Sequence, residues 1–319
     1  MRVQTLESYL YAHLLIKPVV NFAFLIEPVV TFAFLIEGME EERQNEALKR
    51  IRFKEEDEDR MSELPDSLRV EILSRLPSTK DAIRTSALSK RWKHLWTAVT
   101  SLIFVHPHET HVRANPDFFS YVDKTLTQRP HLKLYKFRLI SFYNNHQCQS
   151  QIHNWIHYAV NCNVEHLVLK LWGLKGITQF PLDQFVYVNS CLTHLTLKGC
   201  EFNPTGAISW ENLRSLHIWY AKLDEDMIEN ILSGSPVLET LELDQCYGYR
   251  RLNITSKSVK NLVFTGYMLA CYSDITEINA PNILTLKVQG ILLMRKLLLL
   301  NVSSLVEAHL GAVWQLLND

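Results

Sequence analysis

The apolar residues in the second half of the chain follow a short pattern in which alternate positions are apolar. The pattern L-x-x-L-x-L, with V or I in some places, begins at residues 164, 192, 213 and 238, and weaker copies follow. Alternation with a period of two predicts one short strand per copy, with a single buried face. Because one strand cannot bury that face alone, we predict that the copies stack into a solenoid with a shared core. The central leucines are Leu167, Leu195, Leu216, Leu241, Leu262, Leu284 and Leu305, which are 28, 21, 25, 21, 22 and 21 residues apart.

At least one connector between these strands is predicted to be helical. Asp224 or Asp226 can cap its N-terminus, and Gly234 followed by Pro236 can end it. The apolar positions at helical spacing are Met227, Ile228, Ile231 and Leu232. Phe137 and Leu139, in K-F-R-L, are the first candidates for a strand of the array.

Residues 60–104 have helical rather than alternating spacing and predict three short helices. Asp66 can cap the first, which Pro77 stops; Ser78 or Thr79 can cap the second, and Ser89 the third. The apolar stripes are Leu68, Ile72, Leu73 and Leu76 on the first helix and Trp92, Leu95, Trp96 and Val99 on the third. A unit below about 60 residues is marginal on its own core. We therefore expect its surplus apolar face to contact a partner or a neighbouring domain.

The motifs of this segment are L-P-x-x-L-x-x-x-I-L-S-x-L-P, then T-S-x-L-S-x-R-W, then L-W. Together they resemble the F-box, in the form seen in plant F-box/leucine-rich-repeat proteins. The resemblance implies that this face binds the Skp-type adaptor of a cullin-based ubiquitin ligase. The residues implied to bind the adaptor are Leu64, Pro65, Leu68, Ile72, Leu73, Leu76, Pro77, Leu88 and Trp92.

The repeated strands have a spacing in or near the period of about 20–29 residues of leucine-rich repeats. The phrase L-S-G-S-P-V-L-E-T-L-E-L-D-Q-C resembles the same plant family, so the resemblance covers roughly residues 60–310. It implies that the side chains between the leucines bind a target protein. The candidates are His194, Thr196, His217, Trp219 and Glu242. Family members usually continue with more repeats and often a C-terminal FBD domain, so a chain ending at Asp319 is expected to have a shortened array.

The N-terminal part has a different character. Residues 18–37 are a direct tandem repeat of a decamer, P-V-V-N/T-F-A-F-L-I-E. A membrane span needs about 20 mostly apolar residues, and a span over residues 10–36 would bury Lys17, Glu27 and two prolines. We therefore predict β-prone strands or coil here. The predicted organisation is a hydrophobic segment at 1–38, a charged linker at 39–59, an F-box at 60–105 and a leucine-rich-repeat array at 130–319.

Composition narrows the function classes. The 319 residues carry a net charge of −1, so no overall basic field indicates nucleic acid. The six cysteines form no C-x-x-C pair, which favours a reducing compartment, and we expect the nucleus or the cytoplasm. The chain has no P-loop, G-x-S-x-G or H-E-x-x-H motif. We therefore expect neither catalysis nor a cofactor.

Two groups of polar side chains leave weaker hypotheses. His153 and His157 lie four residues apart and could present imidazoles to zinc, and His106, His108 and His111 are clustered. No cysteine or carboxylate is obviously spaced to complete a zinc shell, so surface or capping roles are favoured. The F-box-like segment also has a basic face, for which adaptor contact or solvation is favoured over nucleic acid. Its members are Arg84, Lys90, Arg91, Lys93 and His94.

The sequence thus predicts an α+β chain, with a short three-helix F-box followed by an open leucine-rich-repeat solenoid. The function implied by the resemblance is that of a substrate-recognition subunit of an SCF-type ubiquitin ligase, non-catalytic itself. Its partners would be the adaptor, through it the cullin and the RING subunit, and an unknown target protein. Two alternatives remain: a protein-interaction module that recruits no ligase, and a membrane-tethered repeat protein. A β-rich domain with coincidental spacing is the alternative for the fold.

Overall fold

The computed structural model describes residues 63–106, 116–143, 146–173, 179–265, 275–290 and 296–312. The tandem decamer, the charged linker, His108 and His111 lie outside these described residues. Among the helices that are described, none combines the length and the apolar character needed to cross a bilayer.

The first described unit contains α1 (Asp66–Ser74), α2 (Thr79–Arg84) and two short 3-10 helices (Thr85–Ala87 and Leu95–Ala98). Ser78 caps α2, because its Oγ accepts a hydrogen bond from the Asp81 N–H at 3.1 Å. Pro65, rather than Asp66, occupies the cap position of α1. The predicted third helix is not an α-helix: it consists of turns that end in the second 3-10 helix. Short helices depend on packing more than on propensity, and here the two tryptophans, Trp92 and Trp96, are both buried in the core.

Within the described residues, nine parallel strands form one sheet in the order β1-β2-β3-β5-β7-β8-β10-β12-β14. These strands, numbered along the chain, are β1 (Ser101–Val105), β2 (Lys136–Tyr143), β3 (His166–Gly173), β5 (His194–Lys198), β7 (Ser215–Trp219), β8 (Thr240–Asp244), β10 (Asn261–Thr265), β12 (Thr285–Gly290) and β14 (Glu307–Ala312). The order follows the chain, as expected for a solenoid. The sheet begins with β1, one strand before K-F-R-L.

Smaller elements connect these strands on the side of the core. Two minor parallel sheets are formed by β4 (Phe180–Pro181) with β6 (Cys200–Glu201), and by β9 (Arg251–Asn253), β11 (Ile275–Asn279) and β13 (Lys296–Leu300). The helical connectors are α3 (Pro116–Thr127), α4 (His146–Asn161), α5 (Gln184–Tyr187) and α6 (Glu225–Ser233). The prediction for α6 is confirmed: the Asp224 carboxylate accepts the Met227 N–H at 2.8 Å, and Gly234 ends the helix.

The predicted leucine positions form the core of the sheet. Leu167, Leu195, Leu216, Leu241 and Leu262 are register partners on successive strands and are almost fully buried. The next partner is Leu286, not the predicted Leu284, and the one after it is Ala308, not Leu305. Leu284 is exposed, because the buried pattern in this copy begins one residue earlier, at Ile283.

Candidate binding surfaces

The F-box-like unit is held together by two arginines. Arg91 donates from Nε to the Asp66 carboxylate at 3.1 Å and from Nη2 to the Leu64 carbonyl at 3.2 Å. These bonds tie the third segment to the start of α1. The guanidinium of Arg69 is buried and lies over the Trp92 ring, 5.2 Å from its centroid. The residues before α1 are therefore fixed against the rest of the unit.

The residues implied to bind the adaptor fall into two groups. Leu73, Leu76 and Trp92 are only 3%, 6% and 4% exposed, so their assignment to a contact surface is corrected: they form the core of the unit, because the short helices need them for their own packing. The remaining predicted residues reach the surface. They are Leu64 and Ile72, which are partly exposed, and Pro65, Leu68, Pro77 and Leu88, which are exposed.

Side-chain to backbone hydrogen bonds join this unit to the array. The Ser74 and Thr79 hydroxyls accept the N–H groups of Thr100 (3.0 Å) and Ile103 (2.7 Å). Arg129, which is buried, donates to the Val99 carbonyl at 2.7 Å and to the Tyr158 hydroxyl at 3.0 Å. Since β1 pairs directly with β2, the F-box-like unit continues into the sheet without an intervening linker.

The side chains that alternate with the buried leucines lie on the opposite side of the nine-stranded sheet, here called the open face. They form rows of register partners across the strands. In β2, β3, β5, β7 and β8 the rows are Lys136, His166, His194, Ser215 and Thr240; then Arg138, Val168, Thr196, His217 and Glu242; then Ile140, Lys170, Lys198, Trp219 and Asp244.

The five residues implied to bind a target all lie on this face, on β5, β7 and β8. Thr196, His217 and Glu242 are consecutive partners in one row, and His217 Nδ1 lies 3.5 Å from a Glu242 carboxylate oxygen. His194 stacks on His166, with ring centroids 3.9 Å apart. The structure thus brings these candidates onto one surface, which the alternation in the sequence indicates.

The same face carries a group of cationic and aromatic side chains that includes the candidate Trp219, and the sequence did not predict that they form a cluster. This basic–aromatic cluster consists of Arg138, Lys170, Trp172, Lys198 and Trp219. The Lys198 ammonium lies over the Trp219 ring at 3.7 Å from its centroid and 5.7 Å from that of Trp172. Partial burial, and then the neighbouring charge, lower the pKa of Lys170 and of Lys198. The signal in the sequence was the K-L-W and T-L-K phrases at alternating positions.

The edge of this cluster toward β8 is acidic. Asp244 is the register partner of Trp219, and Glu242 lies two residues before it. Burial raises the pKa of the Asp244 carboxyl, while His217 and Lys198 oppose that shift. The open face therefore changes from positive on β2, β3 and β5 to negative on β8.

The thiols and histidines elsewhere have local partners. Burial raises the pKa of the Cys246 thiol to about 12 and that of the Cys200 thiol further, which favours the protonated form of both. His153 Nδ1 lies 2.8 Å from an Asp183 carboxylate oxygen, and His157 contacts Asn161. The described part of the chain contains no group of three side chains arranged to hold a metal ion.

Comparison with known proteins adds two family models and several relatives. The model described as "At1g61320/AtMIF1, LRR domain" matches residues 128–313, and the F-box domain model matches residues 61–104. The putative F-box/LRR-repeat protein At3g18150 of Arabidopsis thaliana is 34% identical over 257 residues, which are 79% of this chain and 52% of that protein. F-box/LRR-repeat protein At3g03360 is 34% identical over 263 residues, which are 79% of this chain and 51% of that protein. F-box/LRR-repeat protein 25 is 31% identical over 228 residues, which are 70% of this chain and 83% of that protein. These last two proteins are also from Arabidopsis thaliana. The chain spans about half the length of the first two.

Proposed function

Since this chain belongs to the plant F-box/LRR-repeat family, we propose that it is the target-recognition subunit of an SCF-type cullin ubiquitin ligase. Its F-box binds a Skp-type adaptor, and through it the cullin and the RING subunit, while the open face of its repeats binds a target protein. The chain itself is non-catalytic. By holding the target close to the ubiquitin-charged enzyme, it raises the effective concentration of the target's lysines.

The observation that supports this proposal best is the apolar surface that the F-box leaves outside its own core. Leu68 is 50% exposed and Leu88 is 38% exposed, and the exposed prolines Pro65 and Pro77 flank α1. The unit has buried its tryptophans, Leu73 of α1 and Leu76, but Leu68, Leu88 and the two prolines remain in water. Apolar surface that so small a unit leaves exposed is a candidate binding site for another protein.

The adaptor contact is tested by truncating the exposed apolar side chains. Truncating a central interface anchor costs about 2 kcal/mol or more. We therefore expect the double variant Leu68→Ala, Leu88→Ala to bind a purified Skp-type adaptor at least about tenfold more weakly in calorimetry. Leu64→Ala with Pro65→Ala should have the same effect. Because Leu64 is partly exposed and the other three side chains are exposed, neither pair should open a cavity in the core or unfold the array.

Leu132→Ala is the matched control. Leu132 is 43% exposed and lies outside the F-box, so its truncation removes the same group from a surface that is not proposed to bind the adaptor. Equal adaptor affinity for the wild type and both double variants would disprove the proposed contact.

Purification of the intact chain from plant cells under proteasome inhibition separates the alternatives. Recovery of adaptor, cullin and a ubiquitinated protein supports the ligase subunit, whereas adaptor without cullin favours an interaction module that recruits no ligase. Resistance of the chain to carbonate extraction would favour a membrane-tethered protein. For the ligase subunit we propose a nuclear or cytoplasmic location, which imaging of a fluorescent fusion tests.

A further inference from the structure

We propose that the basic–aromatic cluster on β2, β3, β5 and β7 is the part of the open face that binds the target, and that it recognises an acidic segment of that protein. This inference rests on the proposed function, since it names the chemistry of the target. The carboxylates of the segment would contact Arg138, Lys170 and Lys198, and its adjoining side chains would contact the rings of Trp172 and Trp219.

The positions of the three cations carry the first step of this argument. Lys170 and Lys198 are direct register partners on adjacent strands and lie on the same face. Arg138 lies on β2, one strand further, and its charge helps to lower the pKa of Lys170. Like charges directly opposite each other on a sheet destabilise it. Neighbouring positive charges lower the stability of the free protein, but an anion that binds between them removes their repulsion and is held by both.

The second step is that these cations lack an acidic partner. In the described part of the chain, none of the three takes part in an ion pair, and the Nε of Arg138 is buried without a hydrogen-bond acceptor. Asp244 acts on Lys198 only from beyond ion-pair distance. Three basic side chains elsewhere on the array do have a carboxylate partner: Lys133 with Glu165, Arg214 with Glu239 and Arg251 with Glu277.

The aromatic side chains of the cluster pack against Lys198 and against neighbouring aromatic rings. Trp172 stacks on Phe142 with ring centroids 5.2 Å apart, and Lys198 is held between the rings of Trp172 and Trp219 by cation–π contacts. Both tryptophans keep part of their surface in water. Tryptophan and arginine are the residues that contribute most often to binding energy at interfaces. The cluster therefore combines charge with rigid apolar area.

The acidic side chains on β8 favour a protein segment over a nucleic acid. A nucleic-acid strand that crossed the sheet from the cluster would bring phosphates toward Glu242 and Asp244, which repel them. An acidic segment of a protein can end at the cluster and place neutral or basic residues over β8. The net charge of −1 for the chain also argues against nucleic acid.

The test uses the full chain and a defined probe, a fluorescein-labelled peptide of ten glutamates and one tryptophan. We expect saturable binding that weakens as salt is raised, and a loss of about tenfold or more in the variant Lys170→Gln, Lys198→Gln, since charge-assisted contacts are lost. Lys287→Gln is the matched control, because Lys287 lies on the open face in β12, away from the cluster. A peptide with glutamine in place of glutamate should not bind.

Three results would overturn the inference: no binding of the acidic peptide by the wild type, an equal loss in Lys287→Gln, or tighter binding of a single-stranded DNA decamer. Adaptor affinity is measured on the same variants. It should be unchanged in Lys170→Gln, Lys198→Gln, which also shows that the F-box of this variant is folded. If the wild type binds the peptide but not the adaptor, the proposed ligase function fails while the inference about acidic segments stands.

Discussion

Gly199 occupies a backbone position that only glycine can adopt without strain. It follows β5, has φ of +68°, and a Cβ added to it would lie 1.9 Å from the Leu171 carbonyl oxygen. An L-residue is strained at this φ, and here the neighbouring strand also leaves no space for a side chain. The close approach lets the chain turn from β5 into β6.

Gly199→Ala should therefore destabilise the protein strongly. A non-glycine residue in the left-handed region costs about 1–3 kcal/mol, and the contact with the Leu171 carbonyl adds to this. We expect a clearly lower urea midpoint by circular dichroism. Gly206→Ala is the control, because the nearest atom to its added Cβ is 3.6 Å away. Similar midpoints for both variants would show that the backbone at 199 relaxes without cost.

His166 provides a pH-dependent contribution at the start of the open face. Burial, then His194 and Lys136, lower the pKa of His166 to about 4, although Glu165 opposes the shift. The Tyr135 ring also packs on the imidazole, with centroids 4.4 Å apart. The pKa of an unfolded histidine is about 6.5. Since the folded state disfavours the proton, this contribution to stability is complete above that value and is lost as the pH falls toward 4.

We expect the variant His166→Gln to lose less stability than the wild type between pH 7.5 and pH 5, because glutamine does not titrate. Melting temperatures at the two pH values measure the difference. His94→Gln, at an exposed position in the F-box, serves as the control and should keep the wild-type dependence. An unchanged pH dependence in His166→Gln would contradict the assignment.

Among the elements, those predicted correctly carry local signals. The cap Asp224, the helical spacing of apolar residues and Gly234 identify α6 without reference to the rest of the chain. The third F-box segment has the same kind of spacing, but its structure is decided by the burial of Trp92 and Trp96 against α1 and α2. Strand β1 was missed because its short apolar run follows directly on that segment.

The open face illustrates what alternation predicts and what it does not. Alternation indicates which side chains share a face, and so His194, His217 and Trp219 were placed together. It does not give the register between strands, which depends on connectors of unequal length. The pairing of Lys170 with Lys198 on adjacent strands, and the contact of Lys198 with two tryptophans, follow from that register. The sequence also placed the central buried leucine of one copy at Leu284, whereas Ile283 and Leu286 are the buried residues. In a run of several apolar residues, the alternation can be assigned in more than one way.

The cap of α6 allows a prediction for one element. Asp224→Ala should lower the free energy of unfolding by about 1 kcal/mol, because the N–H of Met227 loses its acceptor. Asp226→Ala removes a carboxylate from the same first turn without removing the cap, so it controls for the helix dipole. Urea unfolding of both variants should show the larger loss for Asp224→Ala, and equal losses would mean that the cap adds nothing beyond charge.

At the scale of the whole described structure, the F-box and the array share one core. Buried apolar residues form a continuous cluster from Leu73 in α1 to Val288 in β12, and β1 joins the F-box directly to the sheet. We therefore expect a single cooperative transition when the protein is heated in a calorimeter. Two resolved transitions, one lost on truncating Leu73 to alanine, would indicate that the F-box unfolds on its own.

The join through β1 has a consequence for the proposed ligase subunit. If a flexible linker joined the F-box to the repeats, the bound target could occupy many positions, and many of its lysines could reach the site of ubiquitin transfer. Here the hydrogen bonds of Ser74, Thr79 and Arg129 across the join hold the two surfaces at one separation and one angle. Ubiquitination of a target lysine would then depend on the distance between that lysine and the docked segment, and not on the residues next to the lysine in the target's sequence.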